Sequence, residues 1–245
     1  MLRIALAAGL GACLLGAVSH AEARPAASPL RVLFVGNSLT AANDLPGEVA
    51  RLASATGRSL ETGTVAYDGY ALEDHWHQGD ARRELEKGTW DAVVMQQGPS
   101  SLRDSQIQLS IWAAKLAGEA RAHGAEPALL TVWPEDYRRA AIVDVIANYR
   151  IAAKDARARI FPAGEAWFRA WQCNSRLGLY SKDRFHPSRM GTHLAALVVY
   201  GRLFRTPVDA KALRFPNARP KVQRLLQASA TAALGRRVTA ARRCG

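Results

Sequence analysis

Ser38, Asp183 and His186 are the residues of this chain whose types and spacing suit nucleophilic chemistry. A serine hydroxyl attacks a carbonyl when a base takes its proton, a third group orients the base, and donors receive the developing oxyanion. His186 can serve as the base. Asp183, three residues earlier, can bond one ring nitrogen while the other faces a serine, and Pro187 stiffens the turn. Ser38 closes the triplet Gly36-Asn37-Ser38 behind the apolar run Val32-Leu33-Phe34-Val35. Taken singly, Ser38 reads as a helix cap and Asp-x-x-His as a surface turn. Taken together and in this order, they read as one site.

The elements that must position these residues follow from the hydrophobic pattern. An apolar run that passes through a glycine into a helical pattern is a buried parallel strand, a tight turn and a helix start. Further strands are expected over residues 60–67, 91–96, 128–133 and 159–162. Helical faces lie between and after them: Leu45, Val49 and Leu52; Leu109, Trp112 and Leu116; Ile142, Val145 and Tyr149; Leu194, Leu197 and Val198. Residues 72–87 carry few apolar positions and read as a surface helix or loop. This alternation predicts an α/β fold with a five-stranded parallel sheet and helices on both faces, because right-handed crossovers place them there. The loops after the strands open on one edge of such a sheet. Ser38, Gly69, residues 96–101 and residues 183–186 can therefore meet in a single cleft.

These blocks resemble the SGNH (GDSL-like) hydrolases. Gly36-Asn37-Ser38-Leu39 is similar to the first block in the subgroup that has Gly-Asn-Ser in place of Gly-Asp-Ser. Gly69 matches the glycine block, and Asp183-Arg184-Phe185-His186-Pro187 the terminal Asp-x-x-His block. The resemblance implies a flavodoxin-like three-layer sandwich, with Ser38 as nucleophile, His186 as general base and Asp183 as its orienter. It also implies that the Ser38 and Gly69 N–H groups are oxyanion donors. The third block departs from the family's Gly-x-Asn-Asp: here stand Gln96, Gln97, Gly98, Pro99, Ser100 and Ser101, and Gln96 or Ser100 is the expected substitute donor.

The composition, with 49% hydrophobic and 22% charged residues in 245, suits one sizeable globular domain. A basic start, an apolar segment over residues 4–18 and Ala21-Glu22-Ala23 read as a secretory signal peptide over residues 1–23, leaving a single domain over 24–245. Cys13 allows a lipoprotein cleavage site as the alternative. No segment reaches the roughly 20 apolar residues of a spanning helix, so the expected location is periplasmic or extracellular. There, Cys173 and Cys244 are a candidate disulfide or two free thiols. The formal net charge of +12 comes with scattered arginine pairs and without a nucleic-acid motif. It implies weak, salt-sensitive attraction to anionic polymers.

Glu73, Asp74, His75 and His77 suggest a metal, but no third ligand of suitable spacing follows, and neither metal nor cofactor is expected. Trp133 reads as cleft lining or core, and His123 and His193 as caps or surface groups. The function expected is a secreted serine esterase acting on a small ester or acylated carbohydrate, acetyl esters foremost. The alternative is a non-catalytic carbohydrate- or envelope-binding protein on the same fold, motivated by the missing third-block asparagine. A lipolytic enzyme would need an apolar acyl groove.

Overall fold

The computed structural model describes residues 28–235. Five parallel strands, β1 (Leu30–Gly36), β2 (Leu60–Ala66), β3 (Ala92–Met95), β4 (Glu126–Leu130) and β5 (Arg159–Phe161), form one sheet in the order β2-β1-β3-β4-β5. Val32, Leu33, Phe34 and Val35 of β1, and all of β3, are buried because helices cover both faces. The result is the expected three-layer, flavodoxin-like α/β sandwich. Strand order reverses between β1 and β3, and open α/β sheets hold their ligands at the carboxyl ends of strands flanking such a point.

The helices are α1 (Ser38–Ala41), α2 (Leu45–Ser54), α3 (Leu72–Gln78), α4 (Asp80–Glu86), α5 (Arg103–Ala122), α6 (Ile142–Asp155), α7 (Ala163–Cys173), α8 (Arg189–Leu203) and α9 (Pro220–Ala233). Pro46 in the first turn and the Asp44 side chain, which accepts from the Gly47 N–H, start α2. The structure corrects the reading of residues 72–87 as a surface element. They form α3 and α4, and Leu72, His75, Ala81 and Leu85 are fully buried against the sheet and α5. Sparse apolar residues suffice there because each lands on the inner face.

Trp133 is core: its ring stacks on that of Trp167 at 3.6 Å, and Trp171 packs edge-on against Trp167. His193 is also buried, contrary to a surface role, with Nδ1 2.6 Å from Glu48 Oε1. His123 does cap the end of α5, beside Glu119. Cys173 ends α7, half-buried against the core, whereas Cys13, Cys244 and the whole leader lie outside the described residues. Among the described residues no helix is long and apolar enough to cross a membrane.

Candidate active site

Ser38 is the first residue of α1, and the cap of that helix is Asn37, whose side-chain oxygen accepts from the Leu39 N–H at 3.1 Å. Capping by Asn37 leaves the serine hydroxyl free of the helix terminus. Gly36 is required at the turn, since a Cβ there would lie 2.5 Å from Gln96 Oε1 and 2.6 Å from Thr40 Oγ1.

From the far end of the chain, His186 brings Nε2 to 2.8 Å from Ser38 Oγ, while its Nδ1 lies 2.7 Å from Asp183 Oδ2. The Asp183–His186 loop is braced independently of that contact. Asp183 Oδ1 accepts the Phe185 and His186 N–H groups and the Ser181 hydroxyl. These bonds, led by that from Phe185, hold the carboxyl far below the usual carboxylate range. Arg184, in the left-handed region at φ 62°, donates twice to Asp136 Oδ2, and Trp133 Nε1 donates to the Phe185 carbonyl at 3.2 Å. A short antiparallel bridge between Tyr180 and Pro187 closes the loop's base.

The relay opens on a cavity of about 600 Å³ at the carboxyl edge of the sheet. Gly69 lines it at φ 76°, a backbone conformation that glycine adopts without cost. Among the described residues the N–H groups of Ser38 and Gly69 have no hydrogen-bond partner, so both are available to an oxyanion.

The third block is arranged otherwise than expected. Gln96 is buried and does not line the cavity: its Nε2 donates to Asn37 Oδ1 at 2.9 Å and to the Gln97 carbonyl at 2.6 Å, leaving no hydrogen for an oxyanion. The expectation of Gln96 as a donor is corrected accordingly. Ser100 does line the cavity, but its hydroxyl accepts from Gln97 Nε2 at 2.9 Å and donates to the Gly98 carbonyl. Gln97 lines the cavity as well, and only one of its two amide hydrogens is used, on Ser100. Its backbone is clamped by the buried Tyr149 hydroxyl, which accepts the Gln97 N–H and donates to its carbonyl. The alternation of a strand end separates the neighbours: successive side chains leave on opposite sides, one behind the turn and one into the cleft. Alternation implies that one of the two glutamines enters the cleft without saying which. Asp68, Tyr70, Glu135 and Arg138 complete a polar wall.

Among the described residues no three His, Cys, Asp or Glu side chains converge as a metal site. His75 is buried on Gly36 and Asp80, and His77 sits edge-on to Trp112.

Fold and site together define the class: a three-layer α/β fold like that of the SGNH hydrolases. Among solved structures, the chain is similar to a candidate SGNH hydrolase from Slackia heliotrinireducens, with 29% identity, 72% of this chain and 100% of that one covered, and a TM-score of 0.62. It is also similar to a DUF4886 family protein from Bacteroides uniformis (17% identity, 86% and 98% covered, TM-score 0.73) and to a lipase/acylhydrolase from Enterococcus faecalis (15%, 71% and 94%, 0.57). No protein-family model and no curated protein matches the sequence.

Proposed function

We propose that this protein is an exported serine esterase of the SGNH type, releasing short acyl groups, acetyl foremost, from a carbohydrate or small ester. The observation that carries the reading is the chain of hydrogen bonds Asp183–His186–Ser38 opening on a cavity at the carboxyl edge of the sheet. In this reading His186 Nε2 takes the hydroxyl proton as Ser38 Oγ attacks the acyl carbon. The oxyanion is received by the Ser38 and Gly69 N–H groups and by the spare amide hydrogen of Gln97. Collapse expels the alcohol, which takes its proton from His186, and water then releases the acid by the same route. Asp68, Tyr70, Glu135 and Arg138 offer hydrogen-bonding groups to a hydroxyl-bearing leaving group, and Pro99 and Phe185 offer apolar surface to a short acyl group. The names of two similar solved structures, an SGNH hydrolase and a lipase/acylhydrolase, agree with this reaction class.

Ser38→Ala tests the reading. It is expected to abolish hydrolysis of a short-chain chromogenic ester while leaving the thermal midpoint unchanged, and full retained activity overturns the nucleophile assignment. A panel of esters varying acyl length and sugar position identifies the substrate.

The departure of the third block supports one second reading, a binding protein for carbohydrate or envelope polymer that has lost efficient chemistry. A fluorophosphonate separates the two: labelling at Ser38 supports the enzyme, and polymer binding without labelling supports the module. Export is part of the proposal, and sequencing the mature amino terminus is expected to find it near Arg24.

A further inference from the structure

The His75 imidazole is fully buried and lies outside the cavity lining. Its Nε2 lies 2.7 Å from the Gly36 carbonyl, an atom that can only accept, so Nε2 carries the hydrogen and donates. On the other side of the ring, Nδ1 lies 3.4 Å from Asp80 Oδ1. The Gly36 carbonyl and the Asn37 N–H belong to one planar peptide unit. His75 holds its oxygen end, and Gln96 Oε1 accepts from its N–H end at 3.1 Å. The unit leading into the nucleophile is thereby gripped from opposite sides by side chains of α3 and of the segment following β3.

The same imidazole packs on Tyr67 (ring centroids 5.9 Å apart) and Tyr70 (5.2 Å), the residues that bracket Gly69. The Tyr70 carbonyl in turn accepts from Asn37 Nδ2 at 2.9 Å. One buried ring therefore touches both turns that carry free N–H donors. Without its bond the Gly36 carbonyl keeps only the Tyr67 N–H, at 3.3 Å.

We infer that His75 is a positioning residue for ester hydrolysis, which keeps the Ser38 and Gly69 N–H groups in register with Ser38 Oγ by holding the Gly36 carbonyl. The inference rests on the esterase reading. Donors preorganised for an oxyanion lose much of their effect when displaced by a fraction of an ångström, whereas ground-state binding in the open cavity changes little.

The test uses a short-chain p-nitrophenyl ester and fluorophosphonate labelling of Ser38, with thermal melts run alongside. His75→Asn, whose amide is too short for the Gly36 carbonyl, is expected to lower kcat about ten- to hundredfold with KM within about threefold, and to slow labelling in parallel. His75→Gln, whose amide nitrogen reaches as far as the imidazole Nε2, is expected to restore kcat to within about threefold of the parent. A folded His75→Asn with parental kcat, equal losses in the two variants, or a change in KM alone overturns the inference. If His75→Asn does not fold, His75→Phe, which fills the ring's place without a donor, is used instead: a kcat lowered about tenfold at constant KM supports the inference, and an unchanged kcat overturns it. The esterase reading fails separately, through a Ser38→Ala variant that keeps activity.

Discussion

At the scale of single residues, the strongest consequence of the geometry concerns charge. Asp183 sits far below the usual carboxylate range because the Phe185 N–H, the Ser181 hydroxyl and His186 all donate to it. It therefore stays ionised through mildly acidic solution, so protonation of Asp183 does not set an acid limb of the kcat/KM profile there. Asp183→Asn keeps the shape but loses the charge that orients the ring and stabilises the imidazolium. It is expected to lower kcat by about a hundred- to ten-thousandfold, read by steady-state kinetics. Gln97→Ala is expected to cost about a hundred- to a thousandfold in kcat, the usual effect of one oxyanion donor. A Gln97→Ala enzyme at parental kcat would assign oxyanion stabilisation to the two N–H groups alone.

Ser38, Asp183, His186 and Gly69 were legible in the sequence because each follows a local rule: a turn glycine, a short-range carboxylate, a place after a strand. Gln97, Tyr149 and His75 were not. Their roles depend on which neighbour points inward and on partners 52 and 39 residues away in the chain.

Elements carry the next level of control. The loop holding His186 gains its shape from β4's extension and the turn beyond it, through Trp133 and Asp136, rather than from its own residues alone. Burial opposes the ionisation of Asp136, yet hydrogen bonds from Arg184 and Arg139 keep its carboxyl below the usual range. Asp136→Ala is expected to lower kcat about tenfold by loosening the left-handed turn at Arg184, with KM little changed. Kinetics and a thermal melt on the same preparation check it.

The packing of α2 on α8 includes another half-buried carboxylate. Burial raises the Glu48 pKa, but bonds from Arg51 and His193 outweigh it and bring the group down to about 2. A lowered folded-state value contributes stability that is present above the ordinary value of 4.5 and lost as pH falls from there toward 2. The contribution is at most about 3 kcal/mol, reduced by solvent screening of the half-buried pair. Denaturant midpoints are expected to drop over that interval in the parent protein and to drop less in Glu48→Gln.

At the scale of the whole molecule, the positive charge is unevenly spread. Nine of the 33 basic residues and none of the 21 acidic ones lie from Ala210 onward, leaving a net +3 for the rest of the chain. Arg214, Arg219, Lys221 and Arg224 have no carboxylate partner among the described residues. Attraction to anionic polymers is therefore expected to reside in this carboxyl-terminal region. Retention on a sulfated polysaccharide resin should weaken steeply with salt, as screening at ~0.1 M shortens the reach of exposed charge to about 10 Å. Removal of residues 236–245 should weaken it further.

The alternation of strand and helix, the parallel sheet and the meeting of Ser38 with His186 were all determined by the sequence itself. Hydrophobic period, turn glycines and the handedness of crossovers are local or topological constraints that leave few arrangements open. Which glutamine faces the cleft, that a polar-looking segment is buried as α3 and α4, and that His75 grips the nucleophile turn were decided only by tertiary structure. Those outcomes depend on strand register and on partners distant in the chain, and a linear pattern carries neither.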